Sequence, residues 1–165
     1  TDTMRMLVLS SKHHSIIIQQ QLLSQNLIST DNKADLIILE GASPRSELLA
    51  SYNKVDIALD PFPYSGGTSS FEATWMSTPV LTKKGTTFLS HSTESINHNC
   101  GMSDWVANDE NEYVKKAIKF SANLEQLSEI KKNLRKITLN SPLFNASLFA
   151  EHFKDAVWKM WKDFI

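Results

Sequence analysis

The sequence has 165 residues, a length typical of one domain that can bury a core without disulfides or bound metals. Its formal net charge is −1, so it lacks the basic excess that is typical of nucleic-acid-binding surfaces. Its single cysteine, Cys100, excludes an internal disulfide and a zinc site built from cysteines. No apolar run is as long as a membrane span, and no signal segment opens the sequence. We therefore expect a cytoplasmic protein that binds neither nucleic acid nor a membrane.

Five short apolar runs are predicted to be β-strands, because they are too short for helices and are partly β-branched. They are Met6 to Leu9, Leu36 to Leu39, Val55 to Leu59, Val80 to Thr82 and Asp104 to Ala107. Helices are predicted between them, at about 14–27, after Ser43-Pro44 with Ser43 as the N-cap, from about Thr68, and at about 88–99. Strands that are apolar throughout are typical of a parallel sheet with helices on both faces. The sequence therefore predicts a Rossmann-like α/β core over about residues 4–107.

The last third of the chain, about residues 108–165, is predicted to be a helical extension. Asn108-Asp109 caps one helix, a second runs from about Leu124 to Ile137, and Ser141-Pro142 ends it. The final helix covers about 146–164 and carries an apolar stripe, formed by Phe149, Phe153, Val157, Met160, Trp161 and Phe164. No long linker divides the sequence, so we expect a single lobe over residues 1–165.

The stretch from Val55 to Pro79 indicates a binding site. Pro61 and Pro63, which follow Asp60, exclude both a helix and a central strand at this point. Gly66 and Gly67 allow positive φ values and a close approach to a ligand, and a helix follows from about Thr68. This order directs free N–H groups and the positive end of a helix dipole at one point, which favours an anion, above all a phosphate.

Other interpretations of this turn fit less well. A P-loop requires a lysine that is missing here, a hydrolase elbow requires Gly-x-Ser-x-Gly, and a receiver domain requires an acidic pair after the first strand. A purely structural interpretation stays open, because Ser69-x-x-Glu72 is a capping box that needs no ligand. The five histidines show no metal-ligand spacing, so surface or helix-cap roles are expected for them. We expect no metal, no cofactor and no catalytic residue.

The stretch Asp56 to Val80 closely resembles the C-terminal catalytic lobe of O-GlcNAc transferases and their relatives, the Spindly-like proteins. The resemblance continues from Gly85 to Ala107 and returns at Ser141-Pro-Leu-Phe-Asn145 and in the final helix. In that family two Rossmann-like lobes face each other in the GT-B fold, and the C-terminal lobe holds a UDP-sugar. The resemblance thus implies a nucleotide-sugar donor, UDP-GlcNAc above all, and a protein acceptor with Ser/Thr hydroxyls.

The resemblance also implies which residues bind the UDP-sugar: Ser43, Arg45, Gly66, Gly67, Thr68, Ser69 and Glu72. By position, Thr68 and Ser69 would contact the diphosphate. Glu72 would replace an aspartate that holds the ribose hydroxyls, while Ser43 and Arg45 would lie against the uracil.

Three positions depart from the family pattern. Leu48 stands where the family often has a nucleotide-contacting histidine, and His91 stands where it has an arginine. Some members have histidine where Gly67 stands. The family's N-terminal lobe, with its catalytic histidine, and its TPR repeats have no counterpart in these 165 residues.

Two hypotheses follow. The first is the UDP-sugar-binding lobe of a glycosyltransferase, inactive without an N-terminal lobe; the alternative is a non-catalytic GT-B-derived interaction module that has lost nucleotide binding. Leu48 and His91 favour the alternative, whereas the Gly66 turn and Glu72 favour the first. We also expect aromatic surface on the final helix, including Trp158, to stay exposed until a partner lobe or a second copy of the chain covers it. The alternative is that the aromatic side chains of this helix fold back onto the sheet's own helices.

Overall fold

The computed structural model describes residues 6–9, 37–40 and 43–165. These contain a five-stranded sheet whose strands are all parallel and lie in the order β2-β1-β3-β4-β5. The strands are β1 Met6–Leu9, β2 Ile37–Glu40, β3 Ile57–Leu59, β4 Val80–Lys83 and β5 Val106–Ala107. The predicted parallel α/β sheet is confirmed, with strand boundaries shifted by one or two residues. The helix predicted at about 14–27 lies outside the described residues.

Six α-helices follow the first two strands in the part of the chain that the structure describes. They are α1 Arg45–Ser51, α2 Thr68–Trp75, α3 Ser92–Asn99, α4 Glu110–Ser121, α5 Leu124–Asn140 and α6 Ala146–Phe164. Short 3₁₀ turns lie at Tyr52–Lys54, Leu89–His91, Ser103–Trp105 and Pro142–Phe144. The helix predicted at about 88–99 is therefore a 3₁₀ turn followed by α3. The first helix after the sheet's second strand begins at Arg45, so Ser43 is not its cap.

Alternate side chains of β3 point to opposite faces of the sheet, and each face has its own core. Ile57 and Leu59 pack in a cluster with Leu81 of β4 and buried residues of α3, α4 and α5. Ala58 points the other way and packs with Val80 and residues of α1 and α2. Because strands with apolar side chains on both faces must be covered twice, helices lie on both sides of the sheet as predicted.

Side-chain caps begin the three helices of the C-terminal extension. Asp109 Oδ1 accepts from Glu112 N at 2.8 Å, Asn123 Oδ1 from Gln126 N at 3.0 Å, and Asn145 Oδ1 from Leu148 N at 3.0 Å. Each acceptor satisfies an N–H group that a helix start leaves without an internal partner. The helical extension predicted after residue 107 is confirmed.

The final helix α6 exposes its apolar stripe. The exposed fractions are 58% for Trp158, 55% for Trp161 and 84% for Phe164. The expectation that aromatic surface stays exposed here is confirmed, and the alternative, in which these three rings fold back onto the other helices, is wrong for this chain. Contiguous apolar surface of this kind usually marks an interface. Its partner, a second lobe or a second copy, remains a prediction.

No helix among the described residues combines the length and the apolar character that crossing a lipid bilayer requires.

Ser77 ends α2 in a left-handed conformation with φ 63°. Thr78 N donates to Ala73 O at 2.8 Å and Ser77 N donates to Thr74 O at 3.1 Å, the two bonds of a Schellman motif. A Cβ atom is disfavoured at this φ, so we expect Ser77→Gly to raise the free energy of unfolding by about 0.5–1 kcal/mol. Urea denaturation measures the change.

The matched control for Ser77→Gly is Ser95→Gly, the same substitution at an exposed position inside α3. Glycine there adds backbone freedom to the unfolded chain without relieving strain, so stability should fall by roughly 0.5 kcal/mol. Equal effects of the two substitutions would contradict the account of Ser77.

Candidate functional site

The Gly66 turn, residues 60–67, leaves the carboxyl end of β3 and is tied to the carboxylate of Asp60. Asp60 is 4% exposed, and its Oδ1 accepts from Gly66 N at 2.6 Å while its Oδ2 accepts from Thr82 Oγ1 at 2.6 Å. Burial raises the pKa of Asp60 to about 6, although hydrogen bonds from Thr82 and Gly66 oppose the shift. Ligand crevices of open parallel sheets lie outside these strand ends, as expected for the turn.

The two glycines of the turn differ in their surroundings. A Cβ atom on Gly66 would lie 2.5 Å from Ser70 Oγ and 2.7 Å from Ser69 Oγ, whereas one on Gly67 would have nothing within 4 Å. Neither glycine has a positive φ, because Gly101 is the one described glycine with a positive φ. The positive φ values that the two glycines allow are therefore not adopted in this turn. Close packing against Ser70 and Ser69 thus disfavours a side chain at Gly66, whereas a side chain at Gly67 would have room.

Helix α2 begins at Thr68 with Gly67 as its N-cap residue and without a side-chain cap. The capping box predicted for Ser69 and Glu72 is wrong, because Ser69 already lies inside the helix and Glu72 pairs elsewhere. The N–H groups of Ser70 and Phe71 both donate to Gly67 O at 3.1 Å. Among the described residues, no acceptor binds the preceding N–H groups, those of Gly67, Thr68 and Ser69. Three adjacent donors at the positive end of α2 are thus available to an anion.

Neighbouring elements brace this helix start. Tyr52 Oη donates to Ser69 O at 2.9 Å from the end of α1. On the other side, Thr93 Oγ1 of α3 donates to Gly66 O at 2.8 Å and lies 2.8 Å from Ser70 Oγ. Backbone carbonyls and hydroxyls therefore hold the turn in place without using the three free N–H groups.

Arg45 and Glu72, predicted to lie against the uracil and the ribose, meet in an ion pair. Arg45 Nη2 lies 3.0 Å from Glu72 Oε1; the arginine side chain is 73% exposed and the glutamate 11%. Ser43 Oγ is buried and has no hydrogen-bond partner among the described residues. A buried hydroxyl without a partner is costly, and such atoms are often explained by a ligand or water. Of the predicted site residues, the structure thus brings Arg45 of α1 and Glu72 of α2 into contact, whereas no hydrogen bond joins the hydroxyl of Ser43 to the other described site residues.

His91, where the family has arginine, pairs with Glu94. The imidazole Nδ1 contacts Glu94 Oε2, and Lys84 Nζ lies 3.3 Å from Glu94 Oε1. Burial alone would raise the pKa of Glu94, but hydrogen bonds and charges from His91 and Lys84 outweigh burial and lower it. The i,i+3 spacing of His91 and Glu94 could have indicated this pair from the sequence.

Outside this site, a groove of about 690 Å³ lies between α5 and the Tyr52–Lys54 turn. Its cations are Lys131, Lys132 and Arg135, of which Lys131 donates to Val55 O at 2.6 Å. None of the predicted site residues lines it. Among the described residues, no group of three histidine, cysteine or acidic side chains could hold a metal ion.

The sequence-based interpretation missed the residues that hold the Gly66 turn. Thr82 belongs to a predicted strand and Thr93 to a predicted helix, yet both make hydrogen bonds around Asp60 and Gly66. A signal was present in part: Asp60 directly follows an apolar strand, and a buried carboxylate needs donors. The identity of those donors depends on contacts between residues that are separated by 22 and by 27 positions in the sequence, and periodicity does not reveal such contacts.

A parallel sheet whose carboxyl edge carries a turn and a helix start with free N–H groups is typical of α/β lobes that bind nucleotides. Comparison with known proteins gives the family. Residues 17–153 match the family model of glycosyl transferase family 41, and the chain belongs to that family.

Several curated relatives carry the SPINDLY name. The probable UDP-N-acetylglucosamine–peptide N-acetylglucosaminyltransferase SPINDLY of Solanum lycopersicum is 31% identical over 114 residues, which are 69% of this chain and 12% of the relative. The Arabidopsis thaliana protein of the same name is 31% identical over 116 residues, or 70% of this chain and 13% of the relative. The chain therefore spans about an eighth of the length of these relatives.

A solved structure shows the same fold. A mutant of the Thermobaculum terrenum O-GlcNAc transferase superimposes with a TM-score of 0.74 at 25% sequence identity. The match covers 99% of this chain and 37% of that one. The predicted resemblance to O-GlcNAc transferases and Spindly-like proteins is confirmed, and so is the fold of a lobe of their catalytic region.

Proposed function

We propose that this lobe binds the UDP part of a nucleotide sugar, UDP-GlcNAc above all, as donor for a glycosyltransferase that modifies Ser/Thr hydroxyls of proteins. The observation that carries the proposal is the start of α2, where three adjacent N–H groups have no acceptor among the described residues. A diphosphate offers oxygens at the spacing of such donors, and the helix dipole favours its negative charge. The names of the relatives supply the sugar and the peptide acceptor.

The same residues would stabilise the leaving group. When the glycosidic bond to UDP breaks, negative charge grows on the diphosphate, and fixed N–H donors that already face it need no reorganisation. Thr68, whose side chain is exposed beside these donors, would add a hydroxyl. The acceptor site and any general base would come from a second lobe, which the exposed face of α6 could contact.

Two observations favour a second candidate function, an interaction module without nucleotide binding. His91 is engaged by Glu94, and the half-buried Leu48 cannot make a polar contact to a nucleotide. In this hypothesis the protein keeps the fold without binding a nucleotide, and the apolar face of α6 is the surface that binds a partner.

Isothermal titration calorimetry of UDP against the protein separates the two candidates. The donor-binding proposal expects saturable binding of UDP that weakens for UMP and further for uridine, since each loses phosphate oxygens. UMP, uridine and ADP serve as matched ligands that vary the phosphate or the base alone. Equal affinity for UDP and uridine, or no binding, would favour the interaction module.

Glu72→Gln is expected to weaken UDP and uridine by the same factor, roughly three- to tenfold, because the proposed ribose contact is common to both. The amide oxygen can still accept one ribose hydroxyl, which keeps the loss moderate. Titrations of both ligands give the two ratios. An effect confined to UDP would move Glu72 from the ribose to the diphosphate.

A further inference from the structure

The network beneath the Gly66 turn contains a buried acid that the proposed donor site does not use directly. Asp60 lies at the end of β3, and both of its carboxylate oxygens accept hydrogen bonds of 2.6 Å, from Gly66 N and from Thr82 Oγ1. Such bonds to an ionised carboxylate are shorter and stronger than those between neutral groups. The Gly66 amide it holds immediately precedes the three free N–H groups.

We infer that Asp60 is a positioning residue for the donor's diphosphate: its ionised carboxylate fixes the turn that presents the amides of Gly67, Thr68 and Ser69. The inference rests on the proposed function. When the carboxyl takes up a proton, it becomes a donor itself and holds Gly66 N less strongly. The turn is then released from β3, and the three amides lose their common direction.

The hydrogen-bonding groups around Asp60 favour the ionised form of its carboxyl, and this is the form that holds the turn. β4 contributes the Thr82 hydroxyl and α3 the Thr93 hydroxyl. α4 contributes the phenol of Tyr113, which donates to the backbone carbonyl O of Asp60 at 3.2 Å. Burial, and then the negative charge of Asp60, raise the pKa of Tyr113 well above its ordinary value, so the phenol stays neutral. On the described elements, none of the hydrogen-bonding partners of Asp60 carries a positive charge.

The carboxyl titrates close to neutral pH, because burial raises the pKa of Asp60 to about 6. If the turn binds the donor only while Asp60 is ionised, the apparent affinity for the donor scales with the ionised fraction of Asp60. That fraction falls to about one tenth at pH 5. The affinity should therefore drop about tenfold between pH 7.5 and pH 5. One competing effect has the opposite sign, because a neutral Asp60 no longer repels the diphosphate.

The test is calorimetry with UDP-GlcNAc, whose esterified diphosphate does not titrate in this range, at pH values from 5 to 7.5. For the wild-type protein we expect the tenfold loss at low pH. In Asp60→Asn the amide oxygen can still accept from Gly66 N, so this variant should bind a few-fold more weakly at pH 7.5 with no such loss. Thr82→Val removes one donor to the carboxylate, which raises the pKa of Asp60 further, so its loss of affinity should begin at higher pH.

The outcomes of this test distinguish the role of Asp60 from the proposed function. Binding at pH 7.5 that is unchanged or stronger at pH 5 overturns the role of Asp60 and leaves the proposed function standing. So does a pH profile of Asp60→Asn that matches the wild type. If that variant does not fold, an unshifted profile of Thr82→Val overturns the inference by itself. No binding at any pH overturns the proposed function, and the inference with it.

Discussion

Thr68→Ala is expected to weaken UDP binding by about 1.5–3 kcal/mol, or roughly 10- to 150-fold, the range for a hydrogen bond to a charged group. Thr68 is the first residue of α2, its side chain is exposed, and it makes no side-chain hydrogen bond to another described residue. Alanine is a good helix former, so the substitution should not destabilise α2. Calorimetry with UDP and with uridine measures the effect, which should be larger for UDP.

Ser95→Ala is the control for Thr68→Ala, because it removes an exposed hydroxyl from α3 without touching the Gly66 turn. Its affinity for UDP should equal that of the wild type. If Thr68→Ala binds UDP as tightly as the wild type does, the threonine does not contact the phosphates.

Gly66→Ala is expected to lower the free energy of unfolding by about 2 kcal/mol, within the range for overpacking. The new Cβ would lie 2.5 Å from Ser70 Oγ, which must rotate away and give up its 2.8 Å contact with Thr93. The displaced turn should also weaken UDP at least tenfold, since one amide bond to a phosphate is worth about that much. Urea denaturation and calorimetry give the two quantities.

Gly67→Ala is the matched variant for Gly66→Ala. Its Cβ meets nothing within 4 Å and its φ is −110°, so stability should stay within about 0.5 kcal/mol of the wild type. A comparable loss of stability in both variants would show that chain flexibility, rather than the contact with Ser70, explains the need for Gly66.

The sheet could be predicted from the sequence because each strand is an apolar run bounded by residues that stop it. β3 illustrates this: its side chains alternate between two cores, and Asp60 with Pro61 ends the strand. The caps at Asp109 and Asn145 could be predicted for the same reason, since a helix start is a local event. The family motif then indicated which strand end carries the candidate site.

The packing of α2 could not be predicted from periodicity. The sequence spacing of Phe71, Trp75 and Met76 predicts that they form its buried side, yet the residues that the structure buries are Ser70, Ala73 and Thr74. Small residues let α2 approach the sheet closely. The larger rings lie to the side, where Trp75 packs 5.2 Å from the ring of Phe144. Hydrophobicity predicts that a helix is buried, but side-chain volume determines which of its residues lies closest to the sheet.

The capping box failed for a related reason. Ser69 and Glu72 have the right spacing, but the turn that Asp60 fixes makes Gly67 the N-cap, two residues before Ser69. Glu72 is then close enough to Arg45 for an ion pair. A motif of four residues does not include the long-range contacts that decide where the helix begins, so here tertiary structure overrides the local preference.

The most direct test of the account is an amide chemical-shift experiment on the ¹⁵N-labelled protein with UDP-GlcNAc. The account predicts that the largest shifts occur at Gly67, Thr68 and Ser69, whose N–H groups would take the diphosphate, and that the groove lined by Lys132 and Arg135 responds little. Shifts that cluster in that groove, with the amides of Gly67 to Ser69 unmoved, would contradict the claim that the start of α2 is the donor site.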